Sequence, residues 1–120
     1  VRPEPKKHGR QNQVEGFFQL GQNVVIVEDL ISTGNSSLLA VEALRAAGAN
    51  IKGMAAIFTY GFGIAQDNFK NANVDLFTVS NYQNLLNLAV AKRYITEQEE
   101  ETLREWNSCP STWGISETEK

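Results

Sequence analysis

The sequence predicts an α/β domain, a parallel sheet flanked by helices, on three observations. A short apolar run rich in β-branched residues, Val24 to Val27, leads straight into two acids and a small polar turn. Helical spacing begins directly after that turn, and a second apolar run, Ile51 to Tyr60, follows the helix. The alternation then repeats, with Ile64 to Ala72 helical and Val74 to Val79 extended. Strands alternating with helices argue for a parallel sheet, because right-handed crossovers return each strand in the direction of the last.

Taken in order, Val14 to Gln19 reads as a strand and Leu20 to Asn23 as a tight turn, together a hairpin feeding the next strand. Phe17 and Phe18 are assigned to packing. Val24 to Val27 suits a strand buried on both faces. From Ser36–Ser37 to Ala47, Leu38, Val41 and Leu44 recur at helical spacing, with Leu39 beside Ala43 one turn on, so the helix buries one face. Gly48 ends it at the position where a left-handed residue is wanted. Asn81 to Arg93 carries Leu85, Leu88, Ala89 and Lys92 at helical spacing, and Arg93 near its end suits the dipole. Thr96 to Glu99 is a capping-box pattern opening a helix to about Asn107. The acids Glu97, Glu99, Glu100, Glu101 and Glu105 read as a solvated, dipole-matched face without metal-ligand spacing, while Leu103 and Trp106 pack inward. Cys109-Pro110 ends this helix, and Trp113 is expected to dock from the tail.

Composition sets the bounds. A chain of 120 residues, 42% hydrophobic and 21% charged, is one ordinary globular domain with enough apolar residues for a core. A net charge of −3 gives no global field for a polyanion, so nucleic acid is not an expected partner. No apolar run is long enough to span a membrane and no signal-peptide pattern is present, so no membrane is expected. Cys109 is alone, which excludes an internal disulfide and fits the reducing cytoplasm. The chain enters at Val1 directly in a charged loop and reads as a fragment, incomplete at its N-terminus. Residues 1–13 form the basic loop and 14–120 a partial core with C-terminal helices.

The chemistry concentrates around residues 28–36. A strand ending in carboxylates, followed by a hydroxyl- and glycine-rich turn that opens a helix, is how α/β proteins build a phosphate site. Helix N-termini offer free N–H groups and positive partial charge to an anion. Gly34 permits a positive φ or close approach of a ligand, and Ser32, Thr33 and Ser36 add hydroxyl donors. Glu28 and Asp29 would repel phosphate at contact distance, so they suit sugar hydroxyls or a hydrated cation beside it. The plainer alternative is that Asn35 or Ser36 caps the helix while the two acids end the strand in solvent.

Upstream, Arg2, Lys6, Lys7 and Arg10 stand against Glu4 alone, with Pro3, Pro5 and Gly9 discouraging regular structure. Such a loop either folds over a polyanionic substrate or is a solvated basic terminus. No aromatic residue is interleaved to stack bases, which disfavours a nucleic-acid patch.

The stretch VVIVEDLISTGNSS, residues 24–37, resembles the phosphoribosyl-pyrophosphate (PRPP) signature of the type I phosphoribosyltransferases. VRPEPKKHG, residues 1–9, is similar to the mobile catalytic loop of the orotate-specific branch, and Gln13-Val-Glu-Gly16 keeps that family's order. The resemblance covers about Val1 to Val79 and implies a type I phosphoribosyltransferase-like, Rossmann-like fold. It implies transfer of ribose 5-phosphate from PRPP to orotate, giving orotidine 5′-monophosphate and pyrophosphate in pyrimidine biosynthesis. By resemblance, Ser32, Thr33, Gly34, Asn35 and Ser36 anchor the 5-phosphate, Leu30 and Ile31 belong to the substrate-binding set, and Glu28 and Asp29 bind the ribose hydroxyls. Arg2, Lys6, Lys7 and His8 contact pyrophosphate, with Lys6, His8 and Asp29 in catalytic roles. Mg²⁺, held mainly by substrate oxygens, and a homodimer across which the basic loop reaches are further implications.

One departure concerns the base. Some orotate-specific relatives place an arginine near Thr59–Gly63, and none stands between Ile57 and Gln66 here. Tyr60 and Phe62 either flank a pyrimidine or pack in the core. A purine or uracil phosphoribosyltransferase, or a PRPP-sensing regulator, shares the signature; a regulator should add a nucleic-acid module or a strongly basic face.

Overall fold

The computed structural model describes Val1 and residues 14–113. The expected basic-loop contacts at Arg2, Lys6, Lys7 and His8 lie outside the described residues.

Strand β1 (Asn23–Ile31) leads through a short loop into helix α1 (Asn35–Ala46), then β2 (Asn50–Thr59), α2 (Gly63–Asn71) and β3 (Leu76–Asn81). Helices α3 (Tyr82–Ala91) and α4 (Glu97–Ser108) follow, with a short 3-10 turn at Pro110–Thr112. The sheet is parallel in the order β1-β2-β3, as the alternating pattern predicts. Val27, Ala55 and Phe77 lie in one row across it.

The core lies where α1 and α2 pack on one face of the sheet, around Ile31, Val41, Met54, Ala56, Ala65, Phe69 and Val74. Leu38, Val41 and Leu44 form the inner face of α1 as their spacing requires, whereas Leu39 is exposed. Three helices end alike. In α1, Gly48 N–H bonds to Arg45 O and Ala49 N–H to Leu44 O, a Schellman cap with φ 96° at Gly48. The same paired bonds close α2 at Asn73 and α3 at Arg93, both with positive φ. The capping box at α4 forms as expected: Glu99 N–H donates to Thr96 Oγ1 and Thr96 N–H to Glu99 Oε1.

Three expectations are corrected. Val14 to Gln19 is not a strand, and no hairpin forms. Gly21 N–H bonds to Gly48 O at 2.7 Å and Asn50 N–H to Gln22 O at 2.8 Å, so the turn that follows the segment is tied to the loop after α1. No residue from Val14 to Gln19 takes strand conformation in a ladder. Second, β1 is not buried on both faces. Among the described residues it is an edge strand, running on through the acids to Ile31, and its outer residues Val25 and Val27 are exposed. With Ile57, Phe77 and Val79 they form an apolar sheet face, each residue 58–77% exposed, that no described element covers. Third, Trp113 stays 45% exposed rather than docking.

Beyond the sheet, α4 is held against α3 by polar side chains. Arg104 pairs with Glu100 at 3.1 Å, reaches Asn87 Oδ1 at 2.6 Å and also bonds Gln83. Gln83 Nε2 donates to Asn107 Oδ1, and the buried Asn107 donates to Tyr60 O at 2.9 Å, fixing α4 over the end of β2.

Candidate phosphate-binding site

The carboxyl end of β1 brings Glu28, Asp29, Leu30 and Ile31 to the edge of the loop Ser32–Gly34, and α1 starts at Asn35. Leu30 and Ile31 belong to the strand, and Ile31 anchors it: its side chain is fully buried and its carbonyl accepts from Tyr60 N–H at 3.1 Å. Leu30 is more exposed.

Gly34 is the N-cap of α1, at φ 84° and ψ 0°, and as glycine makes no side-chain cap bond of its own. Glycine is required twice at this position. The left-handed conformation disfavours any Cβ, and a Cβ placed there would sit 2.6 Å from Phe69 Cε2. The first helical bond runs from Leu38 N–H to Gly34 O at 2.9 Å. Ahead of it, the N–H groups of Ser36 and Ser37 have no acceptor within the helix. No acidic residue stands in this first turn, in contrast to α4, whose first turn holds Glu97, Glu99 and Glu100 behind a threonine cap. The first turn of α1 thus carries no acid of its own where that of α4 carries three, and the nearest carboxylate, Glu28, comes from β1 to Ser37.

The plainer alternative fails for the cap and for Glu28 and holds for Asp29. Neither Asn35 nor Ser36 caps the helix. Glu28 does not simply end in solvent: it is half-buried, and Oε2 accepts from the buried Ser37 hydroxyl at 2.5 Å. Asp29 is exposed, and its Oδ1 accepts from Leu30 N–H at 2.7 Å. As neighbours in a strand the two carboxylates leave on opposite sides, Glu28 toward α1 and Asp29 away from it. Thr33 Oγ1 accepts from Asn35 N–H at 3.3 Å, while the Asn35 side chain turns to Asn68 of α2. Ser32 and Ser36 are exposed around the rim.

The structure thus gathers Glu28 and residues 32–36 about one helix end. Sequence reasoning missed three residues that shape it: Ser37, which holds Glu28, and Asn68 and Phe69, which lie behind the loop. Ser37 was within reach of inspection, being a small polar residue where the helix pattern wants an inner face. No local signal announces the other two, more than 30 residues away. Among the described residues no group of three or more His, Cys, Asp and Glu side chains is placed to hold a metal.

The aromatic residues past β2 form a packed cluster. Tyr60 and Phe62 stack on each other, with centroids 5.2 Å apart and planes 5° from parallel, too close to admit a third ring between them. Trp106 meets both edge-on, at 5.9 and 5.7 Å, and Tyr82 lies 5.7 Å from Tyr60 and from Trp106. Of the two readings of Tyr60 and Phe62, core packing is the one the geometry supports. Burial of Tyr82, and secondarily the nearby Tyr60, raises the Tyr82 phenol above its ordinary pKa of 10.0.

Comparison with known proteins agrees with this fold. No protein-family model matches the chain. The orotate phosphoribosyltransferase of Cytophaga hutchinsonii is 57% identical over 113 residues, covering 94% of this chain and 54% of that protein. Among solved structures, Leishmania donovani UMP synthase superposes with a TM-score of 0.70 at 28% identity, covering 86% of this chain and 23% of that one. Mycobacterium tuberculosis orotate phosphoribosyltransferase, solved in complex with PRPP, superposes with a TM-score of 0.54 at 32% identity, covering 59% of this chain and 43% of that one. The chain spans about half the length of the curated relatives it matches. By sequence and by fold it belongs with the orotate phosphoribosyltransferases, corresponding to the carboxyl-terminal part of those proteins.

Proposed function

We propose that this chain is the PRPP-binding part of an enzyme that transfers the 5-phosphoribosyl group to N1 of orotate, releasing pyrophosphate. The observation that carries the reading is the N-terminus of α1. It is capped by a left-handed glycine, free of acids in its first turn, and placed at the end of a parallel strand beside carboxylates. An anion is the ligand such an end accepts, and a phosphorylated sugar is the anion that also uses adjacent acids. The similarity to proteins named for this activity supports the same reading.

In this scheme the backbone and hydroxyls of Ser32–Ser36 hold the 5-phosphate. Glu28, steadied by Ser37, accepts from a ribose hydroxyl, and Asp29 serves the sugar from the other side of the strand. Their charges favour the cationic character that develops at the sugar as pyrophosphate leaves. Arg2, Lys6, Lys7 and His8 would neutralise the departing pyrophosphate, His8 being able to carry charge near neutral pH. Mg²⁺ suits a site whose described residues include the carboxylates of Glu28 and Asp29, since it keeps waters and binds substrate phosphates; when bound it would supply positive charge to the pyrophosphate. The active form is a homodimer in the cytoplasm, the basic loop of one subunit completing the site of the other.

The test is orotate ultraviolet absorbance in the full-length protein that carries this chain. Loss of absorbance that needs both PRPP and Mg²⁺ is expected. No change with orotate, but turnover with a purine or uracil, would reassign the base. PRPP binding without turnover of any base would make the protein a regulator.

A further inference from the structure

We propose that α2 is a brace for the phosphate loop, with Asn68 and Phe69 as positioning residues that aim the Gly34 N–H at the bound phosphate. The proposal rests on the phosphate-loop reading and adds residues to it.

Asn68 Nδ2 donates to Thr33 O at 3.0 Å and to Asn35 Oδ1 at 3.3 Å. The Thr33–Gly34 peptide is trans, so its C=O and N–H point in opposite directions. With the carbonyl drawn toward α2, the Gly34 N–H faces away from it, into the open side of the loop. The same amide holds the Asn35 side chain off the anion's approach. Asn35 N–H in turn donates to Thr33 Oγ1, so that hydroxyl accepts inside the loop and keeps its proton for a donor bond outward.

Phe69, 4% exposed, supplies the floor, its ring lying where a Gly34 Cβ would stand. The brace is anchored at its far end as well. Arg45 of α1 donates from Nη1 to Ala72 O at 2.8 Å and from Nη2 to Asn73 O at 3.4 Å, over the C-terminus of α2. Helix α2 is thus tied to the start of α1 by Asn68 and to its last turn by Arg45. A loop whose donors are aimed before the ligand arrives loses less order on binding, and that advantage belongs to the phosphate end of PRPP alone.

The experiment uses the full-length protein with Asn68→Ala, Asn68→Asp and Asn68→Gln. Asn68→Ala should raise KM for PRPP roughly five- to tenfold, the worth of one hydrogen bond, with kcat and KM for orotate within about twofold. Asn68→Asp, equal in volume but without the donor and negatively charged, should raise it further, and Asn68→Gln should recover part of the loss. In amide-resolved NMR, inorganic phosphate should shift the Gly34 resonance downfield in the wild type and much less in Asn68→Ala. A lowered melting temperature with unchanged KM for PRPP and an unchanged Gly34 response would overturn the brace. If Asn68→Ala does not fold, the isosteric Asn68→Asp carries both readouts. A wild type without PRPP turnover would refute the phosphoribosyl reading, and the Gly34 titration would still decide the brace. No phosphate response in the wild type would refute both.

Discussion

Replacing Gly34 with alanine tests the loop's geometry at its tightest point. Two costs follow from the structure. At φ 84° an L-residue gives up about 1–2 kcal/mol relative to glycine. The new methyl would also lie 2.6 Å from Phe69 Cε2, and that ring is buried in the core cluster with Ile31, Val41 and Met54, so it cannot swing clear. Forcing a methyl into a packed site costs about 1–3 kcal/mol. The sum, roughly 2–5 kcal/mol, is a large part of a domain's stability. Urea unfolding of the full-length protein measures it, with Phe69→Leu and the double variant completing a thermodynamic cycle. Because the two side chains touch, the double variant should recover about 1 kcal/mol or more relative to additivity. Additive effects, or a Gly34→Ala cost below about 0.5 kcal/mol, would show that the ring does not set the floor of the loop.

Further expectations concern chemistry and pH. The Glu28→Ala, Asp29→Ala double variant should lose turnover by orders of magnitude while keeping its circular dichroism; near-normal activity would remove the ribose role from these acids. The 120-residue chain expressed alone should show no orotate turnover, since it spans about half of its relatives, and measurable turnover would place the whole site within it. The raised pKa of Tyr82 means that folding favours the neutral phenol. Its stabilising effect should be complete below pH 10.0 and fall away as pH rises through the folded value, so Tyr82→Phe should flatten the alkaline limb of a stability profile. An unchanged alkaline limb in that variant would assign the loss to another group.

What the sequence makes legible is what short-range chemistry encodes. The β-branched run, the glycine after two hydroxyl residues and the helical spacing of Leu38, Val41 and Leu44 are each local, and each takes the form its pattern implies. The Thr96–Glu99 box is equally local. The failures are long-range. Val14–Gln19 has the composition of a strand, yet strand formation depends on a partner strand that no local pattern specifies. The burial of Val25 and Val27 was inferred from an apolar run, but burial needs a second layer that no local pattern specifies. Asn68 is invisible in sequence because its meaning lies in a carbonyl 35 residues away. Tyr60 and Phe62 are ambiguous in sequence because the ring that packs on both, Trp106, stands more than 40 residues further along the chain.

The bare face formed by Val25, Val27, Ile57, Phe77 and Val79 has a bearing on the order of synthesis. Covering five such side chains is worth on the order of 5–10 kcal/mol, comparable to the net stability of a whole domain. In the longer relatives the matching stretch is carboxyl-terminal, so it leaves the ribosome after the rest of the chain has been made. A sheet with one oily side then meets water only once the upstream sequence of those relatives is already made. Reversing that order, by circular permutation that puts these strands first, would expose the oily side for the time a ribosome takes to make the remainder.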